Sequence, residues 1–291
     1  MGPFHPESPD RLDAVRDAMI SSGLDVHLAH YDARPATLEQ LTRVHDLDYV
    51  EMIEAASPES GVHYLDPDTA MNPHSLSAAR HAAGAVVLGT DLVLKGEVRA
   101  AFCAVRPPGH HAERRRAMGF CLFNSVAVGV AHALASGLKR AAVIDFDVHH
   151  GNGTEQIFAA DPRVVMVGTF EYPLYPYSGV EPAGPNMHNV ALSAGSGSDA
   201  FREAMREVCF PALEAQRPEI LFVSAGFDAH RDDPLANLRF TEADYAWVTA
   251  ELVALAERHA QGRIVSSLEG GYALPALARS AVAHVKALAQ L

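Results

Sequence analysis

Short apolar runs alternate with longer amphipathic ones along most of the chain. Five runs read as buried strands: AAFCAV (100–105), AAVIDF (141–146), VVMVGT (164–169), EILFVSAG (219–226) and RIVSSLEG (263–270). Each is short and mostly apolar, without the strict alternation of a strand that has one wet face. Between them, apolar positions recur at helical spacing over roughly 124–137, 199–215, 242–260 and 274–290. Two earlier segments, RLDAVRDAMISSG (11–23) and SLSAARHAAGAVVLGTDLVLKG (75–96), also read as helices, each closed by a glycine. Short strands alternating with helices predict an α/β fold of three layers, αβα, around a mostly parallel central sheet. No repeat, low-complexity block or linker interrupts the pattern, so residues 1–291 are expected to form a single domain.

Composition adds limits rather than a function. The chain has 291 residues, 48% of them hydrophobic and 20% charged, enough for a sizeable core. It carries no run of eighteen apolar residues and no basic-then-apolar leader, so a soluble cytoplasmic protein is expected, with no membrane partner. A formal net charge of −13 argues against direct nucleic-acid binding. It permits cationic substrates without requiring them. Cys103, Cys121 and Cys209 have no paired spacing and read as reduced, buried thiols. Sixteen histidines against one tryptophan make the placement of histidine the next question.

Polar residues with chemical potential gather where the strands end. AAFCAV runs into RPPGHH, AAVIDF into DVHHGNGT, EILFVSAG into FDAHRDDP, and RIVSSL into EGGY. In open parallel sheets, ligands bind beyond the carboxyl ends of the strands. Four segments should therefore bring His110, His111, Asp147, His149, Asp228 and Tyr272 to one rim. Asp145, Asp147 and His149 are spaced by two, so on extended chain they face one way. Asp147 and His149, closed by Asp228, offer two oxygens and a nitrogen to a cation and leave a coordination position open, as a catalytic zinc requires. Fe2+ or Co2+ accepts the same donors. An isolated Asp-x-His is more often a loop cap beside a surface histidine. The sister strand ends weigh against that here.

His110 and His111 follow a proline–glycine turn that would project both rings, and histidine moves protons near neutral pH. Asp145 and Asn152 are candidate partners. An Asp and an Asn would leave the two imidazoles with different basicities. In EGGY, the glycines permit unusual backbone and close approach to a ligand, and the Tyr272 phenol could donate to an oxyanion.

Five of these motifs in order, RPPGHHA, GFCLFNSVAV, IDFDVHHGNGTE, SAGFDAHRDDPLANL and SLEGGY, resemble the zinc-dependent histone deacetylase family in its class II-like, bacterial form. That superfamily includes acetylpolyamine amidohydrolases and acetoin-utilisation proteins. The resemblance runs from HPESPDRL (5–12) to the last helix and implies the arginase/deacetylase fold. It implies zinc at Asp147, His149 and Asp228. It implies His111 as proton carrier with His110 as electrostatic support, Asp145 orienting His110, Asn152 orienting His111, and Tyr272 polarising the scissile carbonyl. Phe120 after Gly119, and Tyr175 in PLYPYSG, resemble the walls of the family's acyl-lysine tunnel, with Leu235, Gly270 and Gly271 beside it. The implied activity is hydrolysis of acetyl or other acyl groups from lysine side chains or related amines. The implied partner is an acyl-lysine peptide or a small acylated amine.

Two departures stand out. Family members carry Ser-x-His after the third strand, where this chain has Gly168 and Phe170. A K+ site near Asp145, Asp147, His149, Gly168 and Thr169 would then rest largely on backbone carbonyls. Members also carry a strand ahead of HPESPDRL, so either a sheet edge is remodelled or the chain's native start lies upstream of Met1. Leu235 follows DDP where polyamine-type relatives place an acidic residue, which favours a neutral-flanked acyl-lysine over an acetylpolyamine. More distant alternatives are a two-manganese ureohydrolase, suggested by DAHRD (228–232), and an acyl-lysine binder without chemistry.

Overall fold

The computed structural model describes residues 5–291, so the expectation about the start at Met1 lies outside it. An antiparallel ribbon, β1 (His63–Tyr64) with β2 (Ala70–Met71), precedes the main sheet. The main sheet comprises β3 (Ala100–Cys103), β4 (Ala141–Asp145), β5 (Val164–Glu171), β6 (Met187–Leu192), β7 (Leu221–Ala225) and β8 (Ile264–Leu268). Their spatial order is β3-β8-β7-β4-β5-β6, and every neighbouring pair is parallel.

The period-two alternation of a strand divides its side chains between two cores. Ala142 and Ile144 of β4, with Val165, Val167, Leu221, Val223 and Ile264, face one layer. That layer holds α1 (Asp10–Ser21), α7 (Ser198–Ala204), α8 (Phe210–Gln216), α9 (Glu242–His259) and α10 (Leu274–Leu288). Ala141 and Val143, with Val164, Met166, Phe222 and Val265, face the other. There lie α2 (Leu38–Thr42), α3 (Leu47–Ala55), α4 (Ser75–Leu94), α5 (Ser125–Ala135) and α6 (Asn152–Phe158). The result is the three-layer αβα arrangement. Buried on both faces, the strands need no polar side, which is why they read as continuous apolar runs. No helix among the described residues is long and apolar enough to cross a membrane. All three cysteines are buried and free.

Register aligns the strand tips. Asp145 pairs with Gly168 on one side and Ser224 on the other, Ala225 with Leu268, and Cys103 with Ser267. Everything following these residues emerges at one edge of the sheet.

Several elements depart from the sequence expectation. The helix over 199–215 is split: α7 passes through a π turn at Met205–Cys209 into α8. Pro211, in the first turn of α8, lacks the amide hydrogen that an unbroken ladder needs. β5 continues to Glu171 because a sixth strand, β6, pairs with it through Leu192. β3 stops at Cys103, short of the paired prolines at 107 and 108.

Candidate active site

The turn after β4 is built from its own carboxylates. Asp145 Oδ1 accepts from the Asp147 amide at 3.1 Å, and Asp147 Oδ1 accepts from the His149 amide at 2.9 Å. Distant segments complete the frame. The Val148 amide donates to Asp228 Oδ1 at 3.0 Å, and the Gly270 amide donates to Asp147 Oδ2 at 2.8 Å. His149 Nδ1 lies 3.0 Å from Asp147 Oδ1 and 3.2 Å from Asp228 Oδ2. One ligand atom from each of Asp147, His149 and Asp228 falls within 4.8 Å of the others.

These residues fit a divalent cation. Asp228 Oδ2 is buried with the His149 ring 3.2 Å away but no well-aligned hydrogen bond, an unfavourable setting for a charged oxygen that a cation would relieve. A Cβ at Gly226 would meet Asp147 Oδ2 at 2.0 Å, and one at Gly270 would meet Asp228 Oδ2 at 2.0 Å. The two glycines therefore let the backbone close around the carboxylates. Burial, reinforced by the Asp147 charge, raises Asp228 to about 6. Burial opposes a proton on His149, but the Asp147 and Asp228 carboxylates outweigh it and raise that ring to about 10. The field that would hold a proton there would hold a metal in its place.

The tandem histidines lie beside this cluster, their ring centres 4.0 Å apart. His110 Nδ1–H donates to Asp145 Oδ2 at 2.9 Å, and His111 Nδ1–H donates to Asn152 Oδ1 at 2.8 Å. The partners set opposite basicities. Burial alone would depress His110, but Asp145, Asp147 and Glu269 raise it to about 10. His111 bonds an amide rather than a carboxylate, and burial, then the charges of His110 and His149, outweigh the nearby Asp147 and hold it well below 6.5. Such a ring is a neutral base next to a fixed positive charge.

A cavity of about 260 Å³ leads to these groups, with His111, His149 and Tyr272 among its lining residues. Phe120 and Tyr175 line it, and Leu235, 37% exposed, sits at its lip. Phe120 meets the Tyr272 ring edge-on at 5.9 Å, and Tyr175 meets the His111 ring at 5.3 Å. Gly119 takes a left-handed φ of 56°, and a Cβ there would press on the His111 ring at 2.3 Å. Burial raises the Tyr272 phenol well above its usual 10, so it keeps its proton. Gly271, at φ 122°, turns the chain toward Tyr272.

Sequence reasoning missed the supports of this wall. The Arg11 guanidinium is buried, donates to the carbonyls of Glu269 and Gly271, and lies 5.0 Å from the Tyr272 ring centre. Asp233 Oδ2 accepts from the Tyr272 amide at 2.7 Å while its Oδ1 accepts from Leu235. Glu269 Oε2 accepts from the Gly109 and His110 amides. Asp68, Pro108 and Leu174 line the cavity too. The only sequence signal for Glu269 and Asp233 was a carboxylate at a strand-end turn. At the implied potassium position, Gly168 carries no hydroxyl and a Cβ there would meet the Asp145 carbonyl oxygen at 2.6 Å. Thr169 Oγ1 is buried without a partner, and Phe170 packs on His150 with ring centres 5.1 Å apart.

The model of the histone deacetylase domain matches residues 5–288. The chain belongs to the histone deacetylase family. Over 276 residues it is 40% identical to a histone deacetylase-like amidohydrolase of Pseudomonas aeruginosa, covering 92% of this chain and 72% of that protein. A probable deacetylase of Archaeoglobus fulgidus is 35% identical over 94% of this chain and 77% of its own length. The crystal structure of the HDA15 HD domain superposes with a TM-score of 0.93 at 36% identity, covering 98% of this chain and 83% of that one. The fold is thus the α/β fold shared by histone deacetylases and arginases, and the chain is a family amidohydrolase.

Proposed function

We propose that the chain, read as one deacetylase domain, is a zinc-dependent hydrolase that removes acetyl or other acyl groups from lysine side chains. The observation that carries this is the Asp147–His149–Asp228 cluster at the foot of an aromatic-walled cavity. Zinc there would supply Lewis-acid polarisation of the amide carbonyl and a more acidic water; Fe2+ or Co2+ suits the same donors. His111, neutral and held by Asn152, takes the proton from the attacking water and returns it to the leaving amine. His110, positive beside Asp145, stabilises negative charge as it develops. The Tyr272 phenol donates to the oxyanion. Phe120 and Tyr175 desolvate the methylene stem between two aromatic surfaces. A potassium ion enters this reading only through backbone carbonyls and Thr169, since Gly168 offers no hydroxyl.

One observation favours a second reading, an acetylated polyamine. The Asp68 carboxylate lines the cavity and could attract a distal cation, although Leu235 supplies no charge there. Among the described residues, Asp147, His149 and Asp228 are the one group of three or more such ligands. That disfavours a two-metal ureohydrolase. His111 and Tyr272 beside the cluster disfavour a non-catalytic binder. Zinc-loaded protein assayed on acetyl-lysine peptides, longer acyl-lysines, acetylputrescine and acetylspermidine, ranked by kcat/KM, tests the reading. Acyl-lysine peptides are expected to lead and chelation to abolish turnover. Full activity after metal stripping, or inactivity on the whole panel, overturns it.

A further inference from the structure

Asn152, the first residue of α6, stands between two very different groups. Its Oδ1 lies 2.8 Å from His111 Nδ1, and its Nδ2 lies 2.9 Å from Glu113 Oε1. An amide alone is an ambiguous partner for a histidine, because its two ends differ little in shape and accept or donate with equal ease. With the amide oxygen toward the ring, Nδ1 carries the proton and Nε2 keeps its lone pair. With the NH2 toward it, Nδ1 must be bare and Nε2 protonated. In that second state the nitrogen left for the cavity has no lone pair, so His111 could not accept a proton from water.

We propose that Glu113 is a positioning residue that fixes the Asn152 amide and thereby the tautomer of His111. A carboxylate only accepts hydrogen bonds. Glu113 therefore takes the NH2 end of Asn152 and turns the oxygen to the imidazole. Met118 Sδ, 3.3 Å from the same Nδ2, is an acceptor too, so both outer neighbours favour one orientation. Glu113 is itself pinned by its backbone. Its amide donates to the Arg116 carbonyl at 2.9 Å, and its carbonyl accepts from His45 Nδ1–H at 3.0 Å. His45 can donate there only because its Nε2 accepts from the Asn124 amide, also at 3.0 Å. Burial lowers His45 to about 4, which keeps this second ring neutral and its tautomer fixed.

The relay does something a direct carboxylate would not. Asp145 touches His110 and charges it. Glu113 acts through a neutral amide, so it selects a tautomer of His111 without placing an anion against the ring. A base that must remain unprotonated at rest gains orientation and keeps its low proton affinity.

This inference rests on His111 as the proton carrier, and its test separates the two. In the zinc-loaded enzyme, nitrogen-15 spectra of the His111 ring, assigned with His111→Gln, are expected to show one Nδ1–H tautomer. Glu113→Gln supplies an amide that presents either end. It should yield a tautomer mixture and lower kcat by about tenfold or more, part of the roughly 10²–10⁴ that a general base contributes, with KM nearly unchanged. In an Asn152→Asp background the orienting role is redundant, so adding Glu113→Gln should leave the tautomer unchanged. An unaltered His111 tautomer in Glu113→Gln overturns the proposal. So does an equal kcat loss in the Asn152→Asp background, which marks a merely structural role; that comparison also covers general destabilisation. The spectra need no substrate, so inactivity toward acyl amines would sink the assigned activity and leave the tautomer result standing.

Discussion

At the scale of single residues, the site works by giving chemically similar groups different neighbours. His110 and His111 are adjacent in sequence and in space, yet one faces Asp145 and the other Asn152. Tyr272 stands apart from both, held by its backbone to Asp233 and flanked by Arg11. Removing one oxyanion donor costs about 10²–10³ in turnover. Tyr272→Phe should therefore lose kcat on that order while binding zinc like the parent protein, which metal analysis beside steady-state kinetics checks. Normal turnover would remove the phenol from the chemistry. That Asp147, His149 and Asp228 come together was legible because spacing by two and strand-end position restrict where side chains can point. Glu113, Glu269, Asp233 and Arg11 were not, because their work is hydrogen bonding across as many as 260 positions. No local pattern marks such a partner in advance.

At the scale of elements, apolar periodicity located the five expected strands and most of the long helices. It failed where other forces set the boundary. α6 begins at Asn152 directly from the ligand turn and contains Gly153, so it reads as loop. β6, MHNVAL, is only partly buried and too mixed to announce itself. The α9–α10 layer holds a buried polar link that periodicity also hides. His284 Nδ1 bonds Thr249 Oγ1 at 2.6 Å, and its Nε2 bonds Ser266 Oγ of β8 at 2.8 Å. Burial lowers His284 to about 3. Its folded pKa lies below the unfolded value of 6.5, so its stabilisation is complete above 6.5 and is lost as pH falls from there toward 3. The loss runs up to about 1.4 kcal/mol per pH unit. Urea titrations from pH 7 to 4 should show a shallower decline for His284→Gln than for the parent. Identical slopes would mean that the ring is not held neutral. A similar test applies to the backbone at the strand tips. Gly226→Ala and Gly270→Ala push a methyl into Asp147 and Asp228 respectively. Both should fold, and both should weaken zinc binding about 10–100-fold, the usual cost of disturbing a ligand's support. A competition titration reads this directly.

At the scale of the whole molecule, the candidate metal site joins the tips of three strands. Asp147 leaves β4, Asp228 leaves β7, and Gly270 leaves β8 to bond Asp147. A ligand that binds only the folded state adds RT ln(1 + [L]/Kd), about 4 kcal/mol at a thousandfold excess over Kd. Zinc removal should therefore lower the melting temperature as well as abolish turnover, and added zinc should restore both. Because metal competes with protons and Asp228 is raised to about 6, zinc affinity should fall as pH drops through that value. Isothermal titration at pH 5 and 7 decides this; equal affinity would place the metal elsewhere.

The order β3-β8-β7-β4 has a further consequence. β8, the last strand of the sheet to leave the ribosome, is the one that slots between β3 and β7. Until it arrives, the edge strand β3 has no neighbour to join it to β7, and Asp147 lacks the Gly270 amide. A growing chain therefore holds both aspartates of the candidate site before the strand that completes their frame is in place.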